Sequence, residues 1–107
     1  MQKITIFLMF SDRAVEAMEF YVSIFKNSRI LGLTNGPNGQ PMGGTFELEG
    51  QPFVAYNGGP HFTFSEGVSQ LISCETQEEI DLYYDLLSDG GHQQPCGWVK
   101  DMFGLSW

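Results

Sequence analysis

The last twelve residues constrain the fold of this chain more than any other stretch. Two short apolar segments, Gly97–Lys100 and Leu105–Trp107, flank a turn, and Asp101 and Gly104 lie at the ends of that turn. Aspartate at the first position and glycine at the fourth are typical of a four-residue β-turn. The stretch therefore predicts a terminal β-hairpin. Its tryptophans can be buried only against a sheet built from earlier residues.

Length and composition predict one domain, residues 1–107, with a core of its own. The chain is 107 residues long, which is enough for one core and too short for two. A hydrophobic content of 42% with only 17% charged residues is typical of a globular protein rather than a disordered one. The 13 glycines favour many turns and short strands over a helical bundle.

The charge balance argues against nucleic acid and against an anionic membrane surface as partners. The formal net charge is −8, and the basic residues are scattered along the chain instead of forming a patch. No apolar stretch approaches the roughly 18 residues of a membrane span. The apolar run near the amino end is too short for a signal peptide. Cys74 and Cys96 form no C-x-x-C motif, so we expect two reduced thiols and a cytoplasmic location.

The first half of the chain predicts one strand, one helix and three further strands. An apolar run at 4–10 indicates a strand, and apolar residues at helical spacing indicate a helix over about 13–25. Ser11 and Asp12 are suitable caps for that helix. Three further segments have the composition and boundaries of antiparallel strands, at 29–34, 43–49 and 52–56.

The second half repeats the opening pattern. Val68–Cys74 is predicted to be a strand, and Thr76 with Glu79 forms a capping box before a helix over 78–88. Shifting the chain by 63 residues places Phe20 and Tyr21 on Tyr83 and Tyr84. The match predicts a duplicated module, with copies at about 1–57 and about 67–107. The second copy is short, so either a partner chain supplies a strand or the chain continues past Trp107.

Two motifs resemble a known family. The ending Cys-Gly-Trp-x-x-Asp-x-Phe-Gly-x-Ser-Trp at 96–107 and the helix Ala-x-x-Phe-Tyr-x-x-x-Phe at 17–25 resemble the PhnB-like family of the vicinal-oxygen-chelate superfamily. That superfamily includes glyoxalase I, bleomycin-resistance proteins and extradiol dioxygenases. The resemblance implies an α+β fold of duplicated βαβββ modules, with a curled, mainly antiparallel sheet around a cavity. It also implies a homodimer.

The resemblance carries a label that the sequence does not support. Members are often described as 3-demethylubiquinone-9 3-methyltransferases. A methyltransferase of the usual fold has a glycine-rich loop after a strand for S-adenosylmethionine, and no such motif is present. We therefore predict no cofactor and treat the label as a family name.

The resemblance also allows the family's metal positions to be checked. Metal-dependent members hold the ion with His, Glu or Gln side chains on the first strand and a later strand of each module. The corresponding positions here are Ile4–Ile6, Val68 or Ser69, Ala55 or Asn57, and the region of Trp107. None is a histidine or an acid, and Thr, Ser and Asn are weak ligands for a transition metal. The expectation is that the metal site is absent.

Three residues are weak candidates for catalysis. His61 lies in a glycine-rich connector that borders the cavity in related folds, and beside a carboxylate it would serve as a general base. Glu47 and Glu49 lie two apart on one predicted strand and would then point to the same side, as a metal-binding or proton-exchanging pair would. The plainer interpretations are a surface histidine and the solvated face of a half-buried sheet.

The aromatic residues favour a binding role. Phe53, Tyr56 and Trp98 are the predicted lining of a cavity for a small apolar or aromatic molecule. The leading hypothesis is therefore a small-molecule binding protein of the glyoxalase and bleomycin-resistance type, without a metal. The alternative is a metal-dependent lyase, isomerase or dioxygenase of the same superfamily. A third hypothesis is an assembly protein in which the aromatic hairpin forms a dimer interface.

Overall fold

The computed structural model describes residues 3–107, so Met1 and Gln2 of the predicted first module lie outside the described residues. The chain forms two compact units, which divide between Thr63 and Phe64. The first unit contains β1 (Ile6–Phe10), α1 (Ala14–Ile24), β2 (Ser28–Asn35), β3 (Pro41–Leu48) and β4 (Gln51–Asn57). The second unit contains α2 (Gln77–Ser88), β5 (His92–Gln93), a short 3-10 turn (Pro95–Gly97) and β6 (Val99–Lys100).

The first unit is a βαβββ module. Its strands form one sheet in the order β1-β4-β3-β2. β1 runs parallel to β4, whereas β2, β3 and β4 form an antiparallel meander. The predicted helix and strands are therefore confirmed, although β1 begins at Ile6 and not at Ile4.

The core of the first unit lies between α1 and one face of this sheet. Ala17, Met18 and Tyr21 of α1 are fully buried, as their helical spacing predicts. Phe46 of β3 is also fully buried and stacks on Phe53 of β4, with ring centroids 5.1 Å apart. The Tyr21 ring lies 6.3 Å from the Phe46 ring on the helix side. These contacts make Phe46 the centre of the core.

The turn between β3 and β4 places Glu49 outside the strand. Leu48 pairs with Gln51, which leaves Glu49 and Gly50 as a two-residue loop with φ angles of 50° and 87°. Positive φ at both positions is the requirement of a type I′ hairpin turn. The prediction that Glu47 and Glu49 share a strand is therefore wrong, because the tight turn begins one residue earlier than expected.

The start of α1 is capped from β4 and not by its own preceding residues. Arg13 occupies the N-cap position and makes no side-chain capping bond. The backbone N–H of Ala14 instead donates to Oδ1 of Asn57, at 2.8 Å. An unsatisfied N–H at a buried helix start is costly, so this bond ties the helix to the end of the sheet.

The second unit repeats the pairing order of the first in shortened form. Ser69 forms a parallel bridge to Ser106, and Ser106 forms an antiparallel bridge to Lys100. β6 in turn pairs with β5 in antiparallel fashion. The order matches β1-β4-β3-β2, with Ser69 in the place of β1 and Ser106 in the place of β4.

The predicted strand Val68–Cys74 is reduced to the single bridge at Ser69. The backbone N–H of Gln70 also donates to the carbonyl oxygen of Ser106, at 3.0 Å. Residues 69–72 instead line a cavity, which is described below.

The second helix begins with the predicted capping box. The N–H of Glu79 donates to Oγ1 of Thr76 at 3.1 Å, and the Glu79 carboxylate accepts from the N–H of Glu75 at 3.3 Å. Tyr83 and Leu87 are buried as predicted, whereas Ile80 is 45% exposed. Neither helix within residues 3–107 has both the length and the apolar character that a bilayer crossing requires.

Candidate aromatic cavity

A buried carboxylate organises the terminal hairpin. Asp101 is only 3% exposed, and its Oδ1 accepts from the backbone N–H groups of Phe103 at 2.9 Å and Leu105 at 3.0 Å. Its Oδ2 accepts from the indole N–H of Trp107 at 2.8 Å. Val99 and Trp107 exchange two backbone hydrogen bonds, of 3.0 and 2.8 Å. The predicted hairpin is confirmed, and its turn is closed around one side chain.

The second unit contains a cavity of about 210 Å³. Three segments enclose it: residues 69–74, the inner side of α2, and residues 96–107 of the hairpin region. The four aromatic side chains of its wall are Tyr83, Tyr84, Trp98 and Trp107. Aliphatic side chains and the thiols of Cys74 and Cys96 complete the apolar surface, and Ser69 and Gln70 contribute polar groups.

The spacing of residues on α2 explains its share of the wall. Ile80 and Leu87 each lie three or four residues from both Tyr83 and Tyr84, so the four side chains fall on one side of the helix. Ile80 is partly exposed because it faces this cavity. The hydroxyl of Tyr84 donates to the backbone oxygen of Gln94 at 2.9 Å, which fixes the ring in the wall.

The structure separates the three predicted cavity residues. Trp98 lines the cavity and is 40% exposed. Tyr56 lies in β4 of the first unit, half-buried, with its hydroxyl 3.9 Å from the sulfur of Met42. Phe53 is buried on the face of the first sheet that α1 covers, and for this residue the structure differs from the prediction. Alternation along β4 sends Phe53 and Ala55 to the helix side and Tyr56 to the other.

Three aromatic residues of the wall were not predicted. Trp107, Tyr83 and Tyr84 were assigned to the core or to the helix packing face. The adjacent pair Tyr83-Tyr84 was the sequence signal for this wall. Two neighbouring residues of a helix point in different directions, so the two rings cannot both enter one core.

The catalytic candidates have separate surroundings. Oε1 of Glu47 accepts a hydrogen bond from Nε of Arg29 at 3.0 Å. Oε1 of Glu49 accepts one from the side-chain amide of Asn27 at 3.1 Å. His61 is exposed in the connector of the first unit. Within residues 3–107, no three His, Cys, Asp or Glu side chains lie close enough together to share a metal ion. Catalytic roles for these three residues stay predictions.

The two cysteines of the wall are expected to differ in reactivity. Burial, and then the neighbouring Glu79 carboxylate, raise the pKa of the Cys74 thiol above its ordinary value. Cys96 is exposed. Because the thiolate is the nucleophile, we expect iodoacetamide at about pH 8 to label Cys96 at least about tenfold faster than Cys74. Peptide mapping by mass spectrometry measures both rates, and the Cys96→Ser variant should retain only the slow one. Equal rates would contradict this assignment.

Comparison with known proteins identifies the family. No functionally curated protein matches the sequence. A PhnB protein from Bacillus cereus, described as a candidate 3-demethylubiquinone-9 3-methyltransferase, is 36% identical. Its solved structure superposes with a TM-score of 0.87, over 99% of this chain and 96% of that one. A solved protein from Pseudomonas aeruginosa, 17% identical, covers 100% of this chain and 95% of its own with a TM-score of 0.79, which shows the fold alone.

These likenesses confirm the predicted α+β, glyoxalase-like fold. The sequence model of one family matches residues 2–107, almost the whole chain. The chain therefore belongs to the PhnB-like family described as 3-demethylubiquinone-9 3-methyltransferase.

Proposed function

We propose that this protein binds a small apolar or aromatic molecule in the cavity of its second unit. The observation that carries the proposal is the set of four aromatic side chains around about 210 Å³ of space. Ligand sites are concave and mostly apolar, with few polar groups that fix orientation. Ser69 and Gln70 are the polar side chains of this wall.

The polar ends of two wall residues are engaged by the protein itself. The indole N–H of Trp107 is donated to Asp101, and the hydroxyl of Tyr84 is donated to Gln94. Their ring surfaces are thereby oriented without the help of a ligand. Preorganised aromatic surfaces reduce the entropy that binding costs, and stacked or edge-to-face contacts favour a planar ligand.

The test compares Trp98→Ala with Phe62→Ala. Phe62 is the matched control, since it is 46% exposed, close to the 40% of Trp98, but lies in the first unit and does not line the cavity. With 3-tert-butylphenol as the probe in calorimetric titration, we expect Trp98→Ala to weaken binding roughly five- to twentyfold. Phe62→Ala should leave the affinity unchanged. No binding to the wild type, or equal loss in both variants, would overturn the proposal.

The same variants address the assembly hypothesis. Light scattering of each purified protein gives its mass in solution. If the hairpin were mainly a dimer interface, Trp98→Ala would break the dimer and leave probe binding intact.

We further propose a homodimer. Its support is β2, an eight-residue strand that pairs only with β3 among the described residues and exposes Leu31 and Leu33 along an open edge.

Metal analysis distinguishes the proposal from the alternative of a metal-dependent lyase, isomerase or dioxygenase. Protein purified without chelator is analysed for metal and then titrated with Zn²⁺, Ni²⁺, Mn²⁺ and Fe²⁺. One tight site per chain would support the alternative, and His61, Glu47 and Glu49 would be the first residues to replace. Methyl transfer, which the family name describes, forms no part of this proposal, because the sequence has no glycine-rich motif for S-adenosylmethionine.

A further inference from the structure

The negative charge of the chain is concentrated in the unit that contains the cavity. Residues up to Thr63 hold five carboxylates and four basic side chains, a formal charge of −1. Residues from Phe64 onward hold eight carboxylates and one basic side chain, a formal charge of −7. The eight are Glu66, Glu75, Glu78, Glu79, Asp81, Asp85, Asp89 and Asp101. A field of one sign raises the local concentration of ions of the other sign.

The single lysine or arginine of the second unit is already paired. Lys100 places its Nζ 3.3 Å from the Glu66 carboxylate, which also accepts from the Gln94 amide at 2.8 Å. The Gln94 amide, and then the Lys100 ammonium, lower the pKa of Glu66. No lysine, arginine or histidine lines the cavity. An anionic ligand would therefore enter a negative field with no cation in the wall to receive it.

One carboxylate lies beside the wall. Glu79 lies close enough to Cys74, a residue of the cavity wall, to raise the pKa of its thiol. The same helix that presents Ile80, Tyr83 and Tyr84 to the cavity thus holds a negative charge beside it.

We propose that the cavity selects organic cations: ligands in which an apolar or aromatic group carries a quaternary ammonium or protonated amine. This inference rests on the proposed binding function and names its ligand class. The faces of tryptophan and tyrosine attract such a cation through the ring quadrupole, and the acidic field adds a longer-range attraction. Tertiary structure brings the aromatic wall and the acidic helix together around one space.

The experiment uses two probes of the same shape. 3-(Trimethylammonio)phenol and 3-tert-butylphenol differ by the exchange of N⁺ for carbon, so their difference in Kd isolates the charge. We expect the cation to bind the full chain about tenfold more tightly. Raising NaCl from about 20 to about 500 mM should reduce that ratio, because salt screens the acidic field.

Two matched variants locate the charge. Glu79→Gln removes the carboxylate beside the cavity and keeps a side chain that can complete the capping box. Glu19→Gln makes the same change on α1 of the first unit, at an exposed position. Only Glu79→Gln should weaken binding of the cation, by about threefold to tenfold, with the affinity for 3-tert-butylphenol unchanged.

The outcomes separate this inference from the proposed function. If the neutral probe binds as well as the cation or better, selection for cations is overturned and the binding function stands. If neither probe binds, both are overturned. If Glu79→Gln and Glu19→Gln have equal effects, the carboxylate beside the wall is not the source of selectivity and the inference fails.

Discussion

Replacing Asp101 with alanine is expected to destabilise the protein by about 3–5 kcal/mol and to abolish the proposed binding of 3-tert-butylphenol. The substitution leaves the N–H groups of Phe103, Leu105 and the Trp107 indole without their acceptor in a buried site. The hairpin that places Trp98 and Trp107 in the cavity wall would lose its central support. Urea denaturation followed by tryptophan fluorescence measures the free energy of unfolding.

Asp89→Ala is the control for this prediction. Asp89 is an exposed acid in the same unit, at the end of α2, so its loss should cost less than about 0.5 kcal/mol. Asp101→Asn should be intermediate, because the amide oxygen can still receive two backbone N–H groups while its NH₂ opposes the indole N–H. Adding Trp107→Phe to that variant removes the opposed donor and should recover part of the loss. Asp101→Ala within about 1 kcal/mol of wild type would contradict the assigned role.

Replacing Phe46 with alanine is expected to cost about 3–5 kcal/mol through a cavity in the core of the first unit. Phe46 is fully buried and lies between the rings of Tyr21 and Phe53. Little rearrangement can fill the space, since the flanking rings sit on a helix and a central strand. Far-ultraviolet circular dichroism during urea titration gives the measurement.

Phe7→Ala is the matched control for the core prediction. Phe7 lies in the same sheet but is 57% exposed, so the expected loss is below about 1 kcal/mol. Phe46→Leu retains most of the volume and should cost less than Phe46→Ala. Similar losses for Phe7→Ala and Phe46→Ala would show that Phe46 is not the centre of the core.

Local sequence patterns predicted most of the secondary structure, because each depends on residues within a short stretch of chain. The helical stripe Ala17, Met18 and Tyr21 is buried as its spacing requires. Thr76 and Glu79 form their capping box because both partners lie within one turn of the helix. The aspartate and glycine of the terminal turn set its geometry for the same reason.

The candidate site was predicted less well, because its composition depends on which residues of a strand face the cavity and which face the core. Trp98 was assigned to the cavity wall and lies there. Phe53 was assigned to it as well, but alternation in β4 directs that ring into the core of the first unit. A shift of one residue in register exchanges the two faces of a strand, and the aromatic residues of β4 occur on both.

By itself the sequence determined the helices, the terminal hairpin and the acidic character of the chain. Tertiary structure decided everything that depends on residues distant in sequence. It caps α1 with Asn57, forty-three positions away from Ala14. It also gathers residues 69–74, α2 and the hairpin around one cavity. Local patterns encode backbone conformation, whereas the surroundings of a side chain are set by packing between segments that no short window of sequence contains.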